Sequence, residues 1–152
     1  RECFHSIDGV LVLDDIVGLI GAKDFVTFGL PSLKRTFGTE VSIKFFHNDA
    51  PCKASAPYLH DAGINLLNFG VQHTLAQMKT WTGGGITLLG NVPPRDVLAG
   101  GTPEEVTAAV TALLDGAPDR SRLIVSCGGG MPPGVPTANI EALIATVDRL
   151  TA

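Results

Sequence analysis

The fold is decided by VLVLDD, residues 10–15, an apolar run that ends in two carboxylates. Four later stretches repeat this layout, namely KFFHND (44–49), NLLNFG (65–70), TLLGN (87–91) and LIVSCGGG (123–130). Buried parallel strands read as continuous apolar runs, and enzymes built from βα units carry their chemistry at the carboxyl ends of these strands. The repeated layout therefore predicts five parallel strands whose polar ends meet in one site.

Helix-like stretches separate the five runs. The apolar spacing predicts a helix over residues 22–37, in which Pro31 predicts a kink or a split. The strongest helix signal is the capping box formed by Thr102 and Glu105. Further helices are predicted over 57–62, over 74–81 and from about residue 137. This alternation predicts an α/β fold with a parallel sheet and right-handed crossovers. Both an open doubly wound sheet and part of a (β/α)8 barrel fit it.

Composition excludes several classes of protein. The chain has 152 residues, 45% hydrophobic and 17% charged, which predicts a single domain over residues 1–152 with a substantial core. A net charge of -4 without a run of lysine or arginine argues against a nucleic-acid partner. No apolar stretch approaches the roughly 20 residues that span a membrane. The three cysteines are an odd number without the spacing of a disulfide framework, so we expect a reducing, cytoplasmic environment.

Three segments carry a resemblance to a known family. They are VLVLDDIVGLIGAKDF (10–25), LLGNVPPRDVL (88–98) followed by TPEEV, and GGGMPPGVPTANIEAL (128–143). They resemble the C-terminal part of the uroporphyrinogen decarboxylase superfamily, and the resemblance covers nearly the whole chain. It implies part of a (β/α)8 barrel, about five parallel βα units corresponding to its C-terminal portion, with the first three strands absent. Five strands leave two sheet edges unpaired. We therefore expect a homo-oligomer, or pairing with the missing N-terminal half of the barrel.

The same resemblance bears on the type of reaction. The superfamily includes tetrapyrrole decarboxylases and zinc-dependent methyltransferases that act with methylated corrinoid proteins. In the decarboxylases a Gly-His-Gly follows the last strand and its His serves the substrate, but the matching residue here is Gly129. The methyltransferases carry His-x-Cys where this chain has His47, Asn48 and Asp49. They also carry a further Cys, and Cys127 lies two positions before its usual place.

A metal site is the first chemical hypothesis. His47 and Asp49 are two residues apart, so a continuing strand would point both side chains to one face. Imidazole and carboxylate groups are ordinary zinc ligands, and Cys127 would add a thiolate from another strand end. Three protein ligands with one open position would make a catalytic zinc that activates a thiol. Alternatively, His47 and Asp49 hydrogen-bond each other and the neighbouring backbone.

Other polar residues at the strand ends are candidates for catalysis or substrate binding. Asp14 and Asp15 are candidate acids or bases, or else form an Asx turn or a helix cap. Asn91 is a catalytic candidate whose amide could equally tie its loop to the next strand end. Candidate substrate-binding residues are Gly128, Gly129, Gly130 and His73. The glycines would offer backbone N–H groups before a helix, or would form a tight turn with positive φ.

The leading functional hypothesis is a zinc-dependent methyltransferase that acts with a corrinoid protein or a thiol acceptor. One alternative is a tetrapyrrole decarboxylase, which would need several basic groups to bind its carboxylates. The other is an inactive, truncated remnant that folds by self-association.

Overall fold

The computed structural model describes residues 7–152. Its five strands pair in parallel and in chain order, β1-β2-β3-β4-β5. The strands are β1 (Gly9–Leu13), β2 (Ile43–Asn48), β3 (Leu66–Phe69), β4 (Thr87–Leu89) and β5 (Leu123–Ile124). A doubly wound sheet reverses its strand order at a switch point, whereas a barrel adds each strand beside the previous one. The sequential order therefore selects the barrel-like arrangement from the two architectures that the sequence allows.

Helices lie between successive strands and after β5. They are α1 (Ala22–Asp24), α2 (Leu30–Phe37), α3 (Ala56–Leu59), α4 (Leu75–Trp81), α5 (Pro103–Asp115) and α6 (Thr137–Thr151). A 3-10 turn lies at Ile16–Gly18, and π-helical turns lie at Phe25–Gly29 and Pro94–Ala99. The prediction of a disturbed helix at Pro31 is confirmed, because the π turn of Phe25–Gly29 leads into α2, which has Pro31 in its first turn.

The longer helices begin at residues that the sequence identifies. Thr102 accepts a hydrogen bond from the Glu105 backbone, and Glu105 Oε2 accepts one from the Thr102 backbone, which completes the predicted capping box. A second capping box, between Thr74 and Gln77, starts α4. These reciprocal bonds satisfy N–H groups that have no partner inside the helix.

One face of the sheet packs against the helices and forms the core. Side chains alternate along each strand, so every second residue points to this helix-covered face. It includes the fully buried Phe46, Leu67, Phe69 and Leu88, which pack with residues of α2, α3 and α4 such as Phe37, Leu59 and Met78. A second cluster joins α5 and α6 to the end of the sheet through Val106, Val110 and Leu114.

Two strands run further than the sequence predicts. The apolar runs predict strand ends at Phe46 and Leu67, but β2 continues to Asn48 and β3 to Phe69. The ladder between the two strands continues through these residues, with His47 beside Asn68 and Asn48 beside Phe69. Both asparagines are buried; Asn48 Oδ1 accepts from the Ala50 N–H, and Asn68 Nδ2 donates to the Leu89 carbonyl. Within residues 7–152, no helix has the length and apolarity needed to cross a membrane.

Candidate functional site

The carboxyl ends of the strands form one polar rim. In the parallel register, Leu13 lies beside His47, His47 beside Asn68, and Asn68 beside Leu89. Neighbouring residues in a parallel ladder point to the same face of the sheet. His47 and Asn68 therefore share the face opposite the helix-covered one, which we call the open face.

His47 and Asp49 form the chemical centre of this rim. Nε2 of His47 lies 3.4 Å from Oδ1 of Asp49, and the His47 side chain is 19% exposed. Intervening Asn48 is fully buried, as the two-residue period requires. The prediction that His47 and Asp49 meet on one side is confirmed by this distance.

The backbone of Asp49 is fixed from two directions. Its N–H donates to Asp15 Oδ1 at 2.6 Å, and its carbonyl accepts from Gln72 Nε2 at 2.9 Å. The Oδ1 atom of Asp49 is buried and has no hydrogen-bond partner among the described residues. A buried acceptor of this kind costs free energy unless a proton or a ligand satisfies it. Asp49 is thus held with one carboxylate oxygen aimed at the imidazole.

The two predicted aspartates have different roles in the structure. Asp14 Oδ1 accepts from the Ile16 N–H at 2.8 Å, which is the Asx turn that the sequence left open as an alternative. Asp15 instead reaches across to the next strand end and holds Asp49. Asp15 therefore belongs to the site, through the backbone of Asp49.

The glycine run packs against the same carboxylate. Gly129 has a φ of 96°, and a Cβ at this position would lie 2.5 Å from Asp49 Oδ1. Gly128 is also crowded, because its Cβ would lie 2.9 Å from Val71. Gly130 has no atom within 4 Å of such a Cβ. The tight-turn interpretation thus accounts for Gly129, while binding of a substrate by the three glycines stays a prediction.

Cys127 lies on the other side of the sheet from His47. It packs with Leu123 and Val125 in the cluster under α5 and α6, and it lines an apolar cavity of about 250 Å³ with Leu98 and Leu143. Its Sγ donates to the Gly129 carbonyl at 3.0 Å. Among residues 7–152, no three His, Cys, Asp or Glu side chains gather in a group that could hold a metal ion. As placed, these residues therefore do not fit a zinc site with His47, Asp49 and Cys127 as its ligands.

Asn91 and His73 form a structural network beside the rim. Asn91 Nδ2 donates to the carbonyls of Gly70 and His73, at 3.1 and 2.7 Å, so its amide ties the loop to the neighbouring strand end. His73 Nε2 accepts from the Cys52 N–H at 3.1 Å, and its ring meets Trp81 edge to face. Burial and then the charge of Lys53 lower the pKa of His73. His73 and Asn91 line a cavity of about 320 Å³ near α5, while Asp49 lines a different one.

The cavity that Asp49 lines is an open cleft of about 390 Å³ on the rim. Its polar lining comprises Asp49, Gln72, Arg95 and Asp96, and Gly128 forms part of its wall. No motif points to Gln72, an exposed loop residue whose importance comes from its contact with Asp49. Arg95 could be found in the PPRD segment that follows β4, and it places a cation beside the carboxylates of the cleft.

A parallel βα sheet in chain order with its polar residues at the carboxyl ends defines part of a (β/α)8-type barrel. The family model described as uroporphyrinogen decarboxylase (URO-D) matches residues 6–150. The chain belongs to this family, which confirms the resemblance seen in the sequence. A search of curated proteins found no match.

Two solved structures show the fold. A methyltransferase from Methanosarcina mazei superposes with a TM-score of 0.82 at 22% identity, over 95% of this chain and 43% of that one. A B12-independent methionine synthase from Shewanella sp. W3-18-1, solved in complex with selenomethionine, superposes with a TM-score of 0.69 at 14% identity. That match covers 95% of this chain and 49% of the synthase. The chain thus spans less than half of either protein, and the predicted partial barrel is confirmed.

Proposed function

We propose that this chain is part of a methyl-transferring member of the URO-D family and does not decarboxylate tetrapyrroles. The observation that carries the proposal is the contact between Gly129 and Asp49. The resemblance implies that the decarboxylases carry a substrate-binding His where this chain has Gly129. Here a Cβ at that position would lie 2.5 Å from the Asp49 carboxylate, so the space is already taken. Only Arg95 supplies positive charge among the residues that line the rim cleft, which is little for a substrate with many carboxylates.

The His47–Asp49 pair supports a reaction that moves a proton at the acceptor. A proton on His47 Nε2 would be directed to Asp49 Oδ1, the buried oxygen that has no other partner among the described residues. This arrangement would leave Nδ1 as the ring atom that can accept a proton from a thiol. Asp15 and Gln72 would keep the pair in place through the Asp49 backbone.

We further propose that the reaction uses zinc and that its partner is a methylated corrinoid protein or a thiol. His47 and Asp49 provide two of the three protein ligands that a catalytic zinc uses. Cys127 would have to leave the helix-covered face to provide the third, so a third ligand from outside the described residues is the simpler expectation. Zinc binding by calorimetry would then depend on His47 and be unchanged in Cys127→Ser.

The proposal is tested by two assays on the same preparation. Methyl transfer from methylcobalamin to homocysteine is followed by absorbance, with and without added zinc, and decarboxylation of uroporphyrinogen is followed by mass spectrometry. We expect methyl transfer that falls about 100-fold in His47→Ala, the size typical of a lost acid–base group. His60→Ala, at an exposed position, is the matched control and should keep the full rate. Loss of carboxylates from the porphyrinogen, or equal methyl transfer with and without His47, would contradict the proposal.

A further inference from the structure

The rim cleft contains two charged side chains that have no partner. Arg95 and Asp96 follow β4, both are exposed, and both line the cleft that Asp49 also lines. Among residues 7–152, the side chains of Arg95 and Asp96 form no ion pair with each other or with any other residue. A guanidinium presents a planar fork of N–H donors that matches a carboxylate, while a carboxylate accepts from an ammonium. The cleft therefore offers one free cation and one free anion side by side.

The cleft runs across the carboxyl ends of neighbouring strands. Asp49 follows β2, Gln72 follows β3, and Arg95 follows β4. Neighbouring strands lie about 4.8 Å apart, so the ends of β2 and β4 are separated by about 10 Å. A small molecule held at Arg95 can thus extend along the cleft toward Asp49, whose carboxylate contacts His47.

The charges of the cleft select the class of ligand. A simple anion would pair with Arg95, but it would lie near the carboxylates of Asp96 and Asp49, which repel it. A simple cation would leave Arg95 without a partner. A molecule with both charges on neighbouring atoms satisfies Arg95 and Asp96 together, because these residues are consecutive and do not pair with each other.

We propose that the rim cleft binds a small α-amino acid, with its carboxylate on Arg95 and its ammonium on Asp96. The side chain of the amino acid then points along the cleft toward Asp49 and ends near the His47–Asp49 pair. That this amino acid carries a thiol and accepts the methyl group rests on the proposed function. Its binding in the cleft does not, since Arg95 and Asp96 take no part in the proposed proton transfer.

L-Norvaline separates binding from catalysis. It has the charged groups and the length of homocysteine but a methyl group in place of the thiol, so it cannot accept a methyl group through sulfur. It is titrated into the isotopically labelled chain, without metal or methyl donor, and followed by NMR. We expect saturable shifts of the Val71 and Gly128 amide signals with a dissociation constant of about 1 mM or lower. Valerate, which lacks the ammonium, and butylamine, which lacks the carboxylate, should each bind about tenfold more weakly or worse.

Two variants assign the charged groups. Arg95→Gln should weaken norvaline and valerate by about tenfold and leave butylamine unchanged. Asp96→Asn should weaken norvaline and butylamine and leave valerate unchanged. Arg35→Gln, at an exposed position of α2 outside the cleft, is the matched control and should keep the affinity for norvaline. The NMR spectra of the ligand-free variants show that each is folded.

Each result decides the proposal. Absence of saturable norvaline binding, equal binding of norvaline and valerate, or an unchanged norvaline affinity in Arg95→Gln overturns it. Norvaline binding without methyl transfer contradicts the proposed function alone. Methyl transfer to homocysteine without norvaline binding contradicts the amino-acid site alone.

Discussion

The helix-covered face of the sheet is largely buried, whereas the open face carries several exposed apolar side chains. Phe46, on the covered face of β2, is fully buried, whereas Ile43 on the open face of the same strand is exposed. Apolar side chains on the two faces therefore contribute differently to the stability of this chain. The covered face stabilises the fold, while the open face carries His47.

The largest loss of stability is expected from a substitution on the helix-covered face. Phe46→Ala should lower the free energy of unfolding by about 3–5 kcal/mol, because it leaves a cavity among Phe37 and its neighbours. Leu11→Ala, on the open face, should lower it by less than about 1 kcal/mol, since half of that side chain is already in water. Urea denaturation of both variants measures the difference. Equal losses would show that the open face is covered in solution by this chain itself.

A smaller effect is expected at the rim of the open face. Gly129→Ala combines a positive φ with a Cβ 2.5 Å from Asp49, and should cost about 1–3 kcal/mol. It should also shift the NMR signals of the His47 ring, because the carboxylate has to move. Gly130→Ala is the matched control, since its Cβ meets no atom within 4 Å. If both variants unfold at the same urea concentration, the contact on which the proposed function rests is absent.

Much of the fold could be predicted from local signals. The five apolar runs and the Thr102–Glu105 capping box each carry their own physical reason, and each produces the expected element. The ends of β2 and β3 could not be predicted, because the polar residues Asn48 and Asn68 pair in the ladder between the two strands, and such pairing leaves no signal in the local sequence. The choice between barrel and open sheet required the strand order, which periodicity does not contain.

The candidate site shows a similar division. The meeting of His47 and Asp49 follows from a two-residue period, and the structure confirms it. The side of the sheet on which Cys127 lies could not be predicted. Residues 123–125 are all apolar, so the sequence does not show which of them face the helices. Ile124 lies on the open face, and Cys127, three residues later, packs with the covered side. Gln72 has no signal of its own, since its contact with Asp49 depends on how two loops meet.

The smallest expected effect is a change in stability with pH. It concerns His73, whose ring packs against Trp81. Burial and the charge of Lys53 lower the pKa of His73 from its ordinary value of 6.5, and its Nε2 must be unprotonated to accept from Cys52. As the pH falls below about 6.5, the unfolded chain binds a proton that the folded chain does not, so the stability from neutral His73 is lost. Above this pH the contribution is constant.

The measurement is urea denaturation from about pH 7.5 down to about pH 5.5. His73→Gln, whose amide oxygen can still accept from Cys52, should lose stability less steeply over this range than the unmodified chain. His60→Gln, at an exposed position, is the control and should keep the slope of the unmodified chain. An unchanged slope in His73→Gln would mean that the imidazole is as accessible to protons as in the unfolded chain. The covered side would then be looser at this loop than the packing of His73 against Trp81 implies.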